Sequence, residues 1–131
     1  MIGIDTNILL RLWLNDDVAQ SRRIDKLLAS HGTEPGSLLV ADVVLVEALW
    51  TLQSAYGQVR SEQVRAVRSL LDEPAFGFQH RATVEQAAEM FANAACGFSD
   101  CLIVTQHQRL GCEFTATFDR AMGKLPGVKL L

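Results

Sequence analysis

Short β-branched and aliphatic runs alternate along this chain with longer stretches of helical periodicity, and that alternation restricts the fold more than any other feature. Met1 to Asp5, SLLVA, the middle of EPAFGFQH, CEFTATFD and VKLL read as five strands. Between them the spacing predicts helices over residues 6–14, 16–31, 42–57, 61–73, 83–94 and 97–111. Asp42 and Ser61 are expected as N-caps, Asn15 or Asp16 precedes the second helix, and Gly57 and Gly111 close theirs. Strands separated by helices lead to an α/β domain with a mainly parallel sheet. At 131 residues there is material for one core, so 1–131 is read as a single domain.

The composition is apolar for a small soluble protein: 49% hydrophobic residues and a mean hydropathy of +0.15. A partner is therefore expected to cover part of the surface, and Trp13, Trp50 and Phe91 are bulky helical residues suited to pairing across a twofold axis. No run is long enough to span a membrane, and MIGIDTN resembles no signal peptide, so a cytoplasmic protein is expected. Cys96, Cys101 and Cys112 are odd in number and form no CxxC pair, which suits buried free thiols. His31, His80 and His107 lack the spacing of a zinc helix and read as surface or capping residues.

The net charge of −3 argues against the basic-patch mode of nucleic-acid binding. Bases nevertheless cluster, in SRRIDK (Arg22, Arg23, Lys26) and in VRSEQVRAVR (Arg60, Arg65, Arg68). Arg65 and Arg68 lie one turn apart, as on a solvated outer face.

The acids carry more information. Asp5 ends the first strand, at the rim where an open parallel sheet leaves a crevice. Glu47 sits in the apolar helix VVLVEALW, with no evident solvated face. Asp100 precedes CLIV, and Asp119 follows the strand-like FTATF. A carboxylate in apolar surroundings is costly unless paired, hydrogen-bonded or bound to a cation. Local alternatives exist: Asp5 and Asp100 as helix caps, Thr6 or Asn7 as the cap of the first helix, Glu47 paired with an arginine. A single agent that satisfies all four acids is a hard divalent cation, Mg²⁺ or Mn²⁺. Asp42 is a poorer ligand candidate, because five residues from Glu47 on a helix place the two about 140° apart around the axis.

In order along the chain, DTN after the first strand, the glutamate of VVLVEALW, FSDCLI at a helix start and TFDRA near the end resemble the four acidic motifs of the PIN-domain ribonucleases. The opening MIGIDTNILLRLWLNDD most resembles the VapC toxins of toxin–antitoxin pairs, and the likeness runs from Met1 to Leu131. One departure is VADVVLVE, where Ala41 and Asp42 replace the small hydroxyl residue often found before the glutamate helix.

The resemblance implies a three-layer PIN-like α/β fold and a Mg²⁺- or Mn²⁺-dependent endoribonuclease. Asp5 and Asp100 would be the main metal ligands, with Asp119 and Glu47 completing the pocket directly or through water. Asn7 and Thr117 would steady carboxylates or waters. It also implies an RNA substrate, a small antitoxin partner and a homodimer. Metal-assisted hydrolysis needs no histidine or serine nucleophile, in keeping with a sequence that offers no nucleophile–base pair. Three rivals fit less well. A receiver domain needs adjacent acids after the first strand, and a haloacid dehalogenase-type phosphatase needs a second aspartate where Asn7 stands. A catalytically silent PIN-like binding module would not need all four acids.

Overall fold

Ile2–Gly3 (β1), Leu38–Val40 (β2) and Phe76–Phe78 (β3) form a parallel sheet in the order β1-β2-β3, with Ile2 opposite Leu38 and Leu38 opposite Phe76. The computed structural model describes residues 1–131, the whole sequence. Parallel neighbours cannot be joined by a tight turn, so each step needs a crossover. Thr6–Leu14 (α1) and Val18–His31 (α2) make the first, Asp42–Ser54 (α3) and Arg60–Asp72 (α4) the second. These elements belong to a unit spanning Met1–Gln79. Its core periodicity is plain: α1 buries Thr6, Leu9 and Leu10, and α3 buries Leu45, Ala48, Leu49 and Leu52. Beneath them Leu38 and Val40 are wholly buried.

The second unit, His80–Leu131, contains Arg81–Asn93 (α5), Phe98–Arg109 (α6) and the parallel pair Thr115–Thr117 (β4) and Val128–Leu130 (β5). A short 3-10 turn, Met122–Lys124, lies between the two strands. Here α5 packs on α6 and buries Ala87 and Ala88, while Phe91 meets Phe98 edge-on with ring centroids 5.8 Å apart. The α/β alternation and the parallel pairing agree with the expected class.

Several local expectations are corrected. Asp42 is the first helical residue of α3, not its cap: Ala41 holds that position, and the Gln79 side chain accepts the Asp42 N–H at 2.6 Å instead. That glutamine replaces the hydroxyl cap whose absence the sequence shows. Ser61 lies inside the first turn of α4, because Val59 is the extended cap residue and its carbonyl receives the N–H groups of Glu62 and Gln63. Asp17, one or two residues later than expected, caps α2 by accepting the Gln20 N–H at 3.0 Å. Phe91 is a core residue with no surface to offer a partner, whereas Trp50 is 66% exposed. Cys96 and Cys101 are buried as expected; Cys112 is exposed, being placed in the turn after α6. His80 caps α5 by accepting from the Thr83 N–H, and Arg65 and Arg68 face solvent.

Candidate active site

In the first unit the ladder runs one residue past β1, the buried Ile4 donating its N–H to the Leu39 carbonyl at 2.8 Å, and Asp5 follows at the rim. Asp5 occupies the cap position of α1 with extended backbone (φ −85°, ψ 164°), and its carbonyl accepts the N–H groups of Ile8 and Leu9. Its carboxylate caps nothing and stands exposed. The capping alternative therefore holds for the backbone of Asp5 and fails for its side chain, and Thr6 and Asn7 lie inside the helix. Asn7 is exposed, and its side-chain amide has no hydrogen-bond partner within the chain.

Glu47 corrects an expectation. Helix α3 does have a solvated face, and Glu47 lies on it with Val43 and Trp50, which are 69% and 66% exposed. Because that outer face is itself largely apolar, hydropathy concealed it. The glutamate is nevertheless held: the Thr6 hydroxyl, only 7% exposed, donates to Glu47 Oε2 at 3.0 Å. Thr6 therefore ties Glu47 to the residue next to Asp5. Sequence reading missed this role. The signal was present in the spacing of Thr6, Leu9 and Leu10, which puts the threonine on the buried face of α1.

In the second unit Asp100 lies in the first turn of α6, half-buried, three residues after the cap residue Gly97. Burial pushes its carboxyl above the usual aspartate range, and the negative charge of Asp119 pushes in the same direction. The Gly97 backbone amide, which donates to the carboxylate, pulls the other way. This is one half of a capping box, so Asp100 has a local structural role as well.

Asp119 is exposed two residues beyond β4. Its N–H donates to Thr117 Oγ1 at 3.0 Å, and its Oδ1 accepts the Met122 N–H at 2.8 Å. Thr117 thus steadies the backbone of Asp119. Next to it Phe118 is 82% exposed.

Two of the acids act on each other, Asp119 on Asp100 through its charge, while Glu47 is tied by Thr6 to the residue next to Asp5. Neither unit gathers three or more His, Cys, Asp or Glu side chains into a group that could hold a metal ion by itself. The donor chemistry fits a hard cation, since every candidate ligand is a carboxylate and neither histidine nor cysteine is among them.

The PIN domain family model matches residues 2–128. The chain belongs to the PIN-domain family. A VapC ribonuclease of Aquifex aeolicus (strain VF5) is 21% identical over 122 residues, covering 93% of this chain and 90% of that protein. The PIN-domain match runs through all four acids of the sequence reading and through both structural units. No helix of this PIN domain is long and apolar enough to cross a membrane.

Proposed function

We propose that this PIN domain is a metal-dependent endoribonuclease, the toxin of a toxin–antitoxin pair, hydrolysing RNA phosphodiester bonds in the cytoplasm at a four-carboxylate site. The observation that carries the reading is the buried Thr6 hydroxyl on Glu47, which restrains an otherwise solvated glutamate through the residue that follows Asp5. A surface acid needs no such restraint for stability. The family match across residues 2–128 supports treating the two units as one domain and the four acids as one set.

PIN nucleases generally use divalent metal ions. Asp5, Asp100 and Asp119 would hold Mg²⁺ or Mn²⁺, with Glu47 reaching it directly or through water. When bound, the cation relieves charge on the phosphodiester under attack by water and helps its leaving oxygen. Asp100 has to be ionised to serve, against the pull of its own burial. Thr6 keeps Glu47 in place, Thr117 keeps the Asp119 backbone in place, and Asn7, whose amide has no partner within the chain, would steady a bound water.

Setting the four acids aside leaves 11 acids against 12 bases. RNA then approaches arginine-bearing faces, with modest affinity that falls as salt rises. A small antitoxin with an apolar segment and a basic side chain near the acids would inhibit the enzyme, and a homodimer would cover exposed apolar surface such as Trp50.

The test is cleavage of RNA by the purified chain with Mg²⁺, Mn²⁺ or EDTA. Asp5→Asn and Asp100→Asn should abolish cleavage, because an amide cannot supply the anionic ligand a hard cation requires. Full activity in excess EDTA removes the metal mechanism. RNA binding without cleavage by the wild type makes the chain a silent PIN-like binding module.

A further inference from the structure

His107 takes no part in the chemistry above, yet its ring is half-buried and its Nδ1 lies 2.9 Å from Thr115 Oγ1. Thr115 is the first residue of β4 and is buried. An apolar pair at this contact, valine facing leucine, would suit a strand packed on a helix and would tolerate sliding. A hydrogen bond between a ring nitrogen and a hydroxyl fits one register only, because it weakens steeply with distance and angle.

That register decides what meets at the other end of the two elements. Asp100 lies seven residues before His107 on the same face of α6, about 10.5 Å back along the axis at 1.5 Å per residue. Asp119 lies four residues after Thr115, at most about 13 Å onward at 3.3 Å per residue. Helix and strand touch at His107 and Thr115, and at their far ends the charge of Asp119 acts on Asp100. Both contacts together require β4 to run back alongside α6. The two spans nearly match, so the tie at one end levels the acids at the other. Thr115 and Thr117 share a side of the strand, and Thr117 Oγ1 accepts the Asp119 N–H, so the restraint passes from His107 through β4 to Asp119. Gln108, the next residue of the helix, donates to the Pro126 carbonyl at 3.1 Å, just ahead of β5. A Cβ on Gly127 would come within 2.7 Å of Gln108 Nε2, so glycine permits this approach. Both strands of the pair thus hang from the last turn of α6. A one-residue slip of β4 would carry Asp119 about 3.3 Å from its place, further than a cation that needs oxygen ligands near 2.1 Å can follow.

We infer that His107 is a positioning residue for the acid pair Asp100 and Asp119, its bond to Thr115 setting the register of β4 along α6. The inference rests on the metal-site reading of those acids, which it deepens.

The experiment compares the full-length wild type with Thr115→Val, Thr115→Ser and the control His80→Ala, which removes the cap of α5, a hydrogen bond of the same unit that joins neither α6 nor β4. Thr115→Val keeps the side-chain shape, and the ring it frees is partly exposed to water, so the variant should fold. Mn²⁺ affinity is measured by calorimetry without RNA, and stability by thermal melts in EDTA. Thr115→Val should bind Mn²⁺ about tenfold more weakly, the lower end of what loss of an outer partner costs a metal site. Thr115→Ser keeps the hydroxyl, and both it and His80→Ala should stay within about threefold of wild type, well short of that cost. An unchanged Mn²⁺ affinity in Thr115→Val overturns the inference, as does an equal weakening in Thr115→Ser. So does an equal weakening in His80→Ala, because affinity then merely follows stability. A wild type that binds no Mn²⁺ defeats the metal reading instead, and crystal structures of wild type and Thr115→Val in EDTA then decide the register. Movement of Asp119 relative to α6 by more than about 0.5 Å, the tolerance of such constellations, supports the positioning role, and a smaller movement overturns it.

Discussion

Replacing Thr6 by valine removes one hydroxyl and keeps the side-chain shape, which isolates the hydrogen bond to Glu47. A bond from a buried hydroxyl to a charged acceptor contributes about 1.5–3 kcal/mol when both partners are desolvated. Here the acceptor is exposed, so water replaces the lost donor and screening brings the loss down to about 1 kcal/mol. The methyl group that replaces the hydroxyl is buried in an apolar site and offsets part of that, at about 0.8 kcal/mol per buried carbon. The net change in stability should therefore stay below about 1 kcal/mol, a shift of no more than about 4–5 °C in Tm. Activity should respond more strongly. Without its donor, Glu47 samples the rotamers of an ordinary surface glutamate, and loss of such an outer partner typically lowers metal affinity or activity about 10–100-fold.

The assay pairs Mg²⁺ titrations of RNA cleavage with thermal melts in EDTA, for wild type, Thr6→Val and Thr6→Ser. Thr6→Ser keeps the hydroxyl and should recover most of the activity. If Thr6→Val cleaves within twofold of wild type, Glu47 needs no restraint from Thr6 and that hydrogen bond has no part in activity. If Thr6→Ser is as impaired as Thr6→Val, the methyl packing of the threonine was what mattered.

Three further outcomes are expected. Asp100→Asn should raise the metal-free protein's stability by up to about 1 kcal/mol near neutral pH, discounted for partial exposure, while abolishing activity. The sign follows from the raised folded-state pKa: the proton is held more tightly in the folded chain, so this contribution is present at low pH and is lost as pH rises through that pKa. Melts of both proteins in EDTA from pH 3 to pH 8 check this, and a less stable mutant at pH 7 would mean that the Gly97 contact dominates. Gly77→Ala should destabilise by about 1–3 kcal/mol in denaturant melts, because a Cβ there would sit 2.9 Å from the Gly36 carbonyl oxygen and backbone would have to move. Trp50→Lys should convert a dimer of the purified chain to monomer by light scattering at micromolar concentration; a monomeric wild type counts against the dimer.

The elements were legible because they depend on local periodicity. Helix starts were less legible. The cap of α3 comes from Gln79, 37 residues downstream, and no local pattern reports such a partner. Hydropathy also failed in a definite way at two aromatic residues. Trp50 and Phe91 look alike as bulky residues on apolar helices, yet one is exposed and the other holds the contact of α5 with α6. The acids were legible as a set through their order and neighbours. Their individual surroundings were not, because Thr6, Gly97 and Met122 act on them through hydrogen bonds that form only once the chain has turned.

Those hydrogen bonds also rank the acids by how far each is committed to the fold. The Asp5 carboxylate has no structural task, and Glu47 only receives a bond from Thr6, whereas Asp100 accepts from Gly97 and Asp119 holds the Met122 N–H. Function and stability should therefore separate at Asp5 and stay entangled at Asp119. Asp5→Ala should abolish cleavage and leave Tm within about 2 °C, since an exposed side chain without partners contributes little to stability. Asp119→Ala should abolish cleavage and also lose about 1 kcal/mol, because the amide of the 3-10 turn is left without its acceptor. Asp119→Asn keeps a side-chain oxygen for Met122 and should recover the stability but not the activity. Equal losses of stability in the alanine and asparagine variants would show that the charge of Asp119, rather than its bond to Met122, supports the turn.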